Sequence, residues 1–119
     1  MVLNITTSRI AGVDVVYLCG AIPFGEESAS LLIHVKELLN ESHQIVLDLG
    51  NVTQFDSGSV GILVAVNDAA RKAGGEIKLA NLGDHTREVL RITKFLTVFE
   101  IFSRTEDAIA SFHRREQTA

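Results

Sequence analysis

The chain has 119 residues, 46% of them apolar and 22% charged, with one proline, no tryptophan and a formal net charge of −4. That length builds one domain with a buried core and excludes two, and the composition is that of a globular protein, not a disordered or fibrous one. The acidic balance, with no basic cluster denser than Arg114-Arg115, excludes a general nucleic-acid binder, which needs grouped Lys and Arg to displace counterions.

Two apolar segments rich in β-branched residues open the chain, over 2–6 and 13–19, with Ala11-Gly12 as the turn between them. They predict a pair of antiparallel strands. The second ends in Val15-Val16-Tyr17-Leu18-Cys19, and a cysteine in such a run is expected to be a buried, inert thiol. As the single cysteine it forms no intramolecular disulfide. Glu26 and Glu27 then suit the positive end of a helix dipole. Behind them Leu31, Leu32, Val35, Leu38 and Leu39 recur at helical spacing with Lys36 and Glu37 outward, which predicts a helix over 26–40. The segment 45–49 puts Ile45, Leu47 and Leu49 on one face and Val46 and Asp48 on the other. A strand reached through a helix implies a parallel crossover.

The next helix is predicted to begin near Ser57 and to stop at Gly74-Gly75. Its first half is apolar nearly all round (Val60, Ile62, Leu63, Val64, Val66) and is expected to be buried, while its second half turns polar. Ile77 and Leu79 alternate in a further strand. Asp84 fits as the cap of a short helix carrying Val89, Leu90 and Ile92, and 97–101 allows a last short strand. Ser103-Arg104-Thr105-Glu106 has the form of a capping box, opening a helix that packs Ala108, Ile109 and Phe112 inward and frays over 114–119. The order is ββαβαβα(β)α, so residues 1–119 are expected to form one α/β domain with a mixed sheet and about four helices.

The segment from Asn51 to Gly61 joins a buried strand to a buried helix. Asp56 is placed to accept hydrogen bonds from the amides at 58 and 59 as an N-cap, and Ser57 and Ser59 fall on the first helical turn. There the free N–H groups and the helix dipole favour a negative charge by roughly 0.3–1 kcal/mol. A phosphate on either hydroxyl would add about 1.5–2 negative charges and three strong acceptors. On residues alone, Asp, Ser and Gly are also what any helix start uses.

Enzyme motifs are weak. Gly58-Ser59-Val60-Gly61 lacks the first glycine of Gly-x-Ser-x-Gly, and Ser59 lies ten residues past Leu49, too far for a nucleophile elbow that should follow its strand directly. The four histidines (His34, His43, His85, His113) show no metal spacing, and no nucleotide-binding glycine loop is present. No cofactor, metal or catalytic residue is expected. Nothing at the N-terminus resembles a secretory signal, and the longest apolar stretch, 60–66, falls short of the ~20 residues that span a bilayer. A cytoplasmic protein is the expectation.

Ile45-Val46-Leu47-Asp48-Leu49, then Asn51-Val52, then Asp56-Ser57-Gly58-Ser59-Val60-Gly61-Ile62-Leu63, resembles the STAS domain, whose pattern is a strand ending Leu-Asp-Leu, a short turn, and Asp-Ser-Ser-Gly-Leu-Gly opening a helix. The similarity extends to the first strands, to Gly74-Gly75 and to Leu90 through Ile101. The family includes bacterial anti-sigma-factor antagonists and the cytoplasmic ends of sulfate transporters. The resemblance implies a protein-binding module whose surface is the turn Phe55, Asp56, Ser57, Gly58, Ser59, Val60 and Gly61. Its implied partner is an anti-sigma factor, commonly a serine kinase that phosphorylates the second serine of the motif, with a phosphatase reversing the step; a monomer or weak dimer is expected. Asp56, Ser57 and Gly61 match the motif. At the position of the second serine stands Gly58, which has no hydroxyl, and Ser59 follows where glycine is usual. Ser59 ranks ahead of Ser57 as the acceptor, although a rotation of ~100° per helical residue aims its hydroxyl elsewhere. A Gly-Glu-Leu-Asp loop common in the family is here Gly20-Ala21-Ile22-Pro23, with Glu26 or Glu27 as the acidic replacement. Two alternatives stay open: an unphosphorylated scaffold subunit of a signalling or transport assembly, and a hydrolase using Ser59.

Overall fold

In a computed structural model the described residues are 3–22 and 26–118, with the side chains of 26–28 and 114–118 outside the description. Strand β1 (Asn4–Ile10) turns into β2 (Val13–Ala21) through Ala11 and Gly12 at φ 52° and 81°. Positive φ at both central residues matches the right-handed twist of the two strands, and the register runs without interruption from Asn4↔Cys19 to Ile10↔Val13. β1 thus starts later than the predicted 2–6 and runs to the turn itself; Val2 lies outside the described residues.

The chain continues through α1 (Glu26–Leu38), β3 (Gln44–Gln54), α2 (Ser57–Lys72), β4 (Glu76–Ala80), α3 (Asp84–Ile92), β5 (Glu100–Phe102) and α4 (Thr105–Thr118). Among the described residues the strands form one sheet in the order β1-β2-β3-β4-β5, antiparallel at the first pair and parallel at the others. Successive parallel strands laid down side by side in one direction, with crossovers of one hand, put their connecting helices on one face. Accordingly, Leu31 and Val35 of α1, Leu63 and Val66 of α2 and Leu90 of α3 pack with Leu18, Ile45, Leu47 and Leu79 in the main core. Among the described residues the opposite face is covered by α4, where Ala108, Ile109 and Phe112 meet Val13, Val15, Val46 and Ala80. The central stretches 13–16 of β2, 45–49 of β3 and 77–80 of β4 are buried on both faces, which explains their near-continuous apolar sequences.

Several expectations are corrected. The thiol of Cys19 is exposed. It falls on the face that α4 covers, beyond the patch of Val13, Val15 and Tyr17 that α4 reaches, so an apolar neighbourhood in sequence does not bury it. β3 is more than twice the predicted segment, because its pairing with β2 carries on to Gln54. Helix α3 begins at Asp84 with Gly83 as N-cap and no side-chain cap bond; Asp84 acts through the dipole from the first turn. Ile92 is 63% exposed. β5 lies at Glu100–Phe102, past most of the predicted 97–101. At α4 the carbonyl of Arg104 accepts from the amides of Asp107 and Ala108, which places Ser103 one residue outside the cap. The helix runs to Thr118, through most of the stretch expected to fray. α1 ends at Leu38, two residues before the predicted limit.

The end of α2 is as expected. Gly74 at φ 79° lets its own amide donate to the Arg71 carbonyl (3.1 Å) and the Gly75 amide to the Ala70 carbonyl (2.8 Å), the paired bonds of a glycine C-terminal stop.

Candidate functional site

Parallel strands β2, β3 and β4 end on the same side of the sheet, and their following loops gather there. β3 reaches this end with two irregularities. Between Tyr17↔Asp48 and Cys19↔Asn51, and again between Gly20↔Val52 and Ala21↔Gln54, it carries one more residue than β2. Such bulges bend a strand and increase its twist. Pairing with β4 stops at Asp48↔Ala80, so 51–54 extend beyond the sheet on β2 alone. The first bulge is fastened by Asp48. Its Oδ1 accepts from the Gly50 amide at 2.9 Å, while Oδ2 accepts from Asn81 Nδ2 at 3.0 Å and from the Thr105 hydroxyl at 2.7 Å. Asn81 is held at φ 59°, a left-handed conformation that Asn tolerates better than most residues. A Cβ at Gly50 would stand 3.1 Å from Asp48 Oδ1 and 3.3 Å from Asn81 Cβ, so a side chain there would crowd the network by a few tenths of an ångström.

From this ribbon the chain enters the turn 55–61. The Phe55 ring is buried in the main core and anchors it. Asp56, extended at φ −131°, is the N-cap of α2. Its Oδ1 accepts from the Ser59 amide at 3.1 Å, and Ser59 Oγ accepts from the Asp56 amide at 3.1 Å, a reciprocal capping box with serine in the place usually held by Glu or Gln. The Ser59 hydroxyl donates to the Ile22 carbonyl at 2.6 Å and the residue is 1% exposed. Ser59 is therefore a clamp between the α2 start and the end of β2, not a surface hydroxyl. Its donation to a main-chain carbonyl leaves it no histidine base, so nothing here builds a nucleophile. Val60 is buried beside it, Gly58 half-buried, and Asp56, Ser57 and Gly61 exposed. Pro23 and the side chains of Glu26 and Glu27, expected near this surface, lie outside the described residues.

Asp56, Ser57 and Gly61 are thus what the turn exposes to solvent. Ser57 is the first residue of α2, on the turn where helix amides lack intrahelical partners and the dipole favours negative charge. A Cβ at Gly61 would meet nothing within 4 Å, so packing within the chain does not require glycine at this helical position. One residue that sequence reasoning missed also reaches the turn: His85 of α3 lies with Nε2 2.9 Å from the Phe55 carbonyl. Its thirty-residue separation from Phe55 leaves no local signal. His34, on α1, bonds instead to Thr7 Oγ1 at 2.7 Å.

Elsewhere, Lys78 is 1% exposed in β4. Its ammonium donates to Ser111 Oγ at 2.5 Å, pairs with Glu100 at 2.9 Å and lies 4.1 Å from the Phe112 ring centre. On the outer face of α3, the hydrogen bond from Arg91 holds the exposed Glu88 carboxyl below the usual carboxylate range. No helix among the described residues is long and apolar enough to cross a membrane. No group of three or more His, Cys, Asp or Glu side chains converges on a metal-sized site among them.

Comparison with known proteins agrees with this architecture. Over 110 residues the chain is 26% identical to a Bordetella bronchiseptica protein named as an anti-sigma factor antagonist, BtrV, covering 92% of this chain and 95% of that one. The fold matches the crystal structure of an anti-sigma factor antagonist from Mycobacterium paratuberculosis with a TM-score of 0.77 at 22% identity, over 92% of each chain. It also matches the anti-sigma factor antagonist SpoIIAA in its unphosphorylated form, with a TM-score of 0.74 at 15% identity over 92% of this chain and 96% of that one. The family model described as the STAS domain matches residues 4–108, the hairpin, the bulged β3, the capped start of α2 and most of the rest, and the chain belongs to the STAS domain family.

Proposed function

We propose that this protein is an anti-sigma-factor antagonist: a cytoplasmic, non-enzymatic regulatory module that binds an anti-sigma factor through the 55–61 turn and so controls sigma-factor-dependent transcription. The observation that carries the reading is the exposed start of α2, with Asp56, Ser57 and Gly61 outward on a frame bonded from beneath by Ser59. The full-length similarity to a protein named as an anti-sigma factor antagonist supports it.

We further propose that the anti-sigma factor is a serine kinase and that Ser57 accepts the phosphate, with a phosphatase restoring the binding form. Burial favours Ser57 over Ser59, reversing the order the sequence suggests. A kinase needs its acceptor hydroxyl in solvent, and Ser59 Oγ is enclosed and already bonded. A dianion on Ser57 suits the helix dipole while placing charge in the contact face. Incubating the protein with a serine kinase of the anti-sigma-factor type and ATP, then measuring the intact mass, tests this. The expected result is one phosphate, lost in Ser57→Ala and kept in Ser59→Thr; a phosphate that persists in Ser57→Ala refutes the assignment. The scaffold reading is favoured by one observation, the lack of a hydroxyl at Gly58. It predicts no mass gain, and recovery of a transporter or multi-subunit assembly instead of a kinase on affinity purification.

A further inference from the structure

We propose that His85 is the positioning residue of the 55–61 turn, its Nε2–H holding the Phe55 carbonyl so that the start of α2 is presented in one orientation. The proposal rests on the reading of that turn as the partner surface. Past Asp48 the β3 extension has lost β4 as a neighbour, so main-chain groups on that side have no strand to bond. The chain that would have continued β4 instead turns at Asn81–Gly83 into α3, and His85, the second residue of that helix, reaches back to the carbonyl at 2.9 Å. A carbonyl oxygen only accepts, so Nε2 carries the proton. Protonation at Nδ1 leaves that donor in place, and the link therefore holds for both the neutral ring and the imidazolium.

The placement of the bond makes it a positioning contact. Phe55 immediately precedes the Asp56 cap. On one side the turn is tied to the end of β2 through the Ser59 hydroxyl on the Ile22 carbonyl; on the other it is tied to α3 through His85. The two bonds fix the direction in which Ser57 and Gly61 face. His85 is exposed and is not among the residues that seat α3, which are Thr86, Val89 and Leu90. The fold of α3 thus makes no demand for an imidazole there.

Solution NMR on the isolated chain tests the assignment without any partner. Long-range proton–nitrogen spectra of wild type should show the Nε2–H tautomer for His85 wherever the ring is neutral. Hydrogen exchange at the Asp56 and Ser59 amides should rise roughly threefold to tenfold in His85→Ala, as expected for the loss of one hydrogen bond from a local opening equilibrium. His85→Gln, whose amide nitrogen takes the place of Nε2, should restore wild-type exchange, with the Leu47 amide in the core unchanged throughout. An Nδ1–H tautomer, unchanged exchange in His85→Ala, or an equal rise at Leu47 with no rescue by Gln would each overturn the proposal. None of these readouts depends on which protein binds the turn, so they fail or succeed separately from the functional reading.

Discussion

Replacing Ser59 with alanine separates the clamp from the switch. The hydroxyl donates to the Ile22 carbonyl at 2.6 Å and accepts from the Asp56 amide at 3.1 Å, at a site 1% exposed. Alanine leaves both main-chain groups without these bonds. A buried polar group left unpaired costs about 1–3 kcal/mol, and loss of a helix cap about 1 kcal/mol. Asp56 still caps through Oδ1, and water has some access to the exposed Asp56, so the two costs overlap and the sum is about 2–3 kcal/mol. For a chain of this length the unfolding entropy, at ~2.1 cal/mol/K per residue, converts each kcal/mol into about 4 °C, so Tm should fall by about 8–12 °C. Urea unfolding followed by circular dichroism should show the same loss in midpoint with an unchanged slope. Ser59→Thr keeps the hydroxyl and should recover most of the stability, whereas Ser57→Ala, at an exposed first-turn position, should stay within about 0.5 kcal/mol of wild type. A Ser59→Ala protein as stable as wild type would refute the clamp, and so would a phosphate found on Ser59 in the folded chain.

Gly61→Ala should stabilise the fold by about 0.5–1 kcal/mol, because an interior helical glycine costs that much relative to alanine and its added Cβ meets nothing within 4 Å. The same change should weaken partner capture, since it puts a methyl group on the contact face; thermal melts and a binding titration read the two effects separately. Lys78→Met should cost no more than about 1 kcal/mol, since Ser111 Oγ keeps its bond to the Ala108 carbonyl and the Glu100 side chain is 43% exposed to water. Lys78→Ala opens a void under α4 and should cost about 2–4 kcal/mol; equal losses in denaturant unfolding would show that the charge, not the filling, matters. Cys19, being exposed, should react with a thiol reagent such as dithionitrobenzoate in the native protein at a rate close to that in denaturant, and protection by folding would contradict the structure.

Most of the architecture was legible in the residues. The hairpin followed from Ala11-Gly12 between two β-branched runs, the crossover strands from short apolar alternation between helical stripes, and the end of α2 from Gly74-Gly75, because each is a local pattern with a local cause. The α2 start at Asp56 was equally local. The errors share a different origin. Burial of Cys19 depended on how far α4 reaches across the sheet, and the length of β3 on a bulge that breaks the alternation after Leu49. Neither is written in a window of neighbouring residues.

The site divides in the same way. Sequence by itself determined that a capped helix start with two serines lies at residues 56–59, since side chains and backbone amides three positions apart must meet there. Only the tertiary structure decided which serine is a fastening and which is a surface. That choice is set by the Ile22 carbonyl, thirty-seven residues away, arriving within hydrogen-bond distance of Ser59 and leaving Ser57 to solvent. The reach of His85 to Phe55, thirty residues apart, was decided in the same way, by parallel strands that bring their C-terminal loops to one end of the sheet.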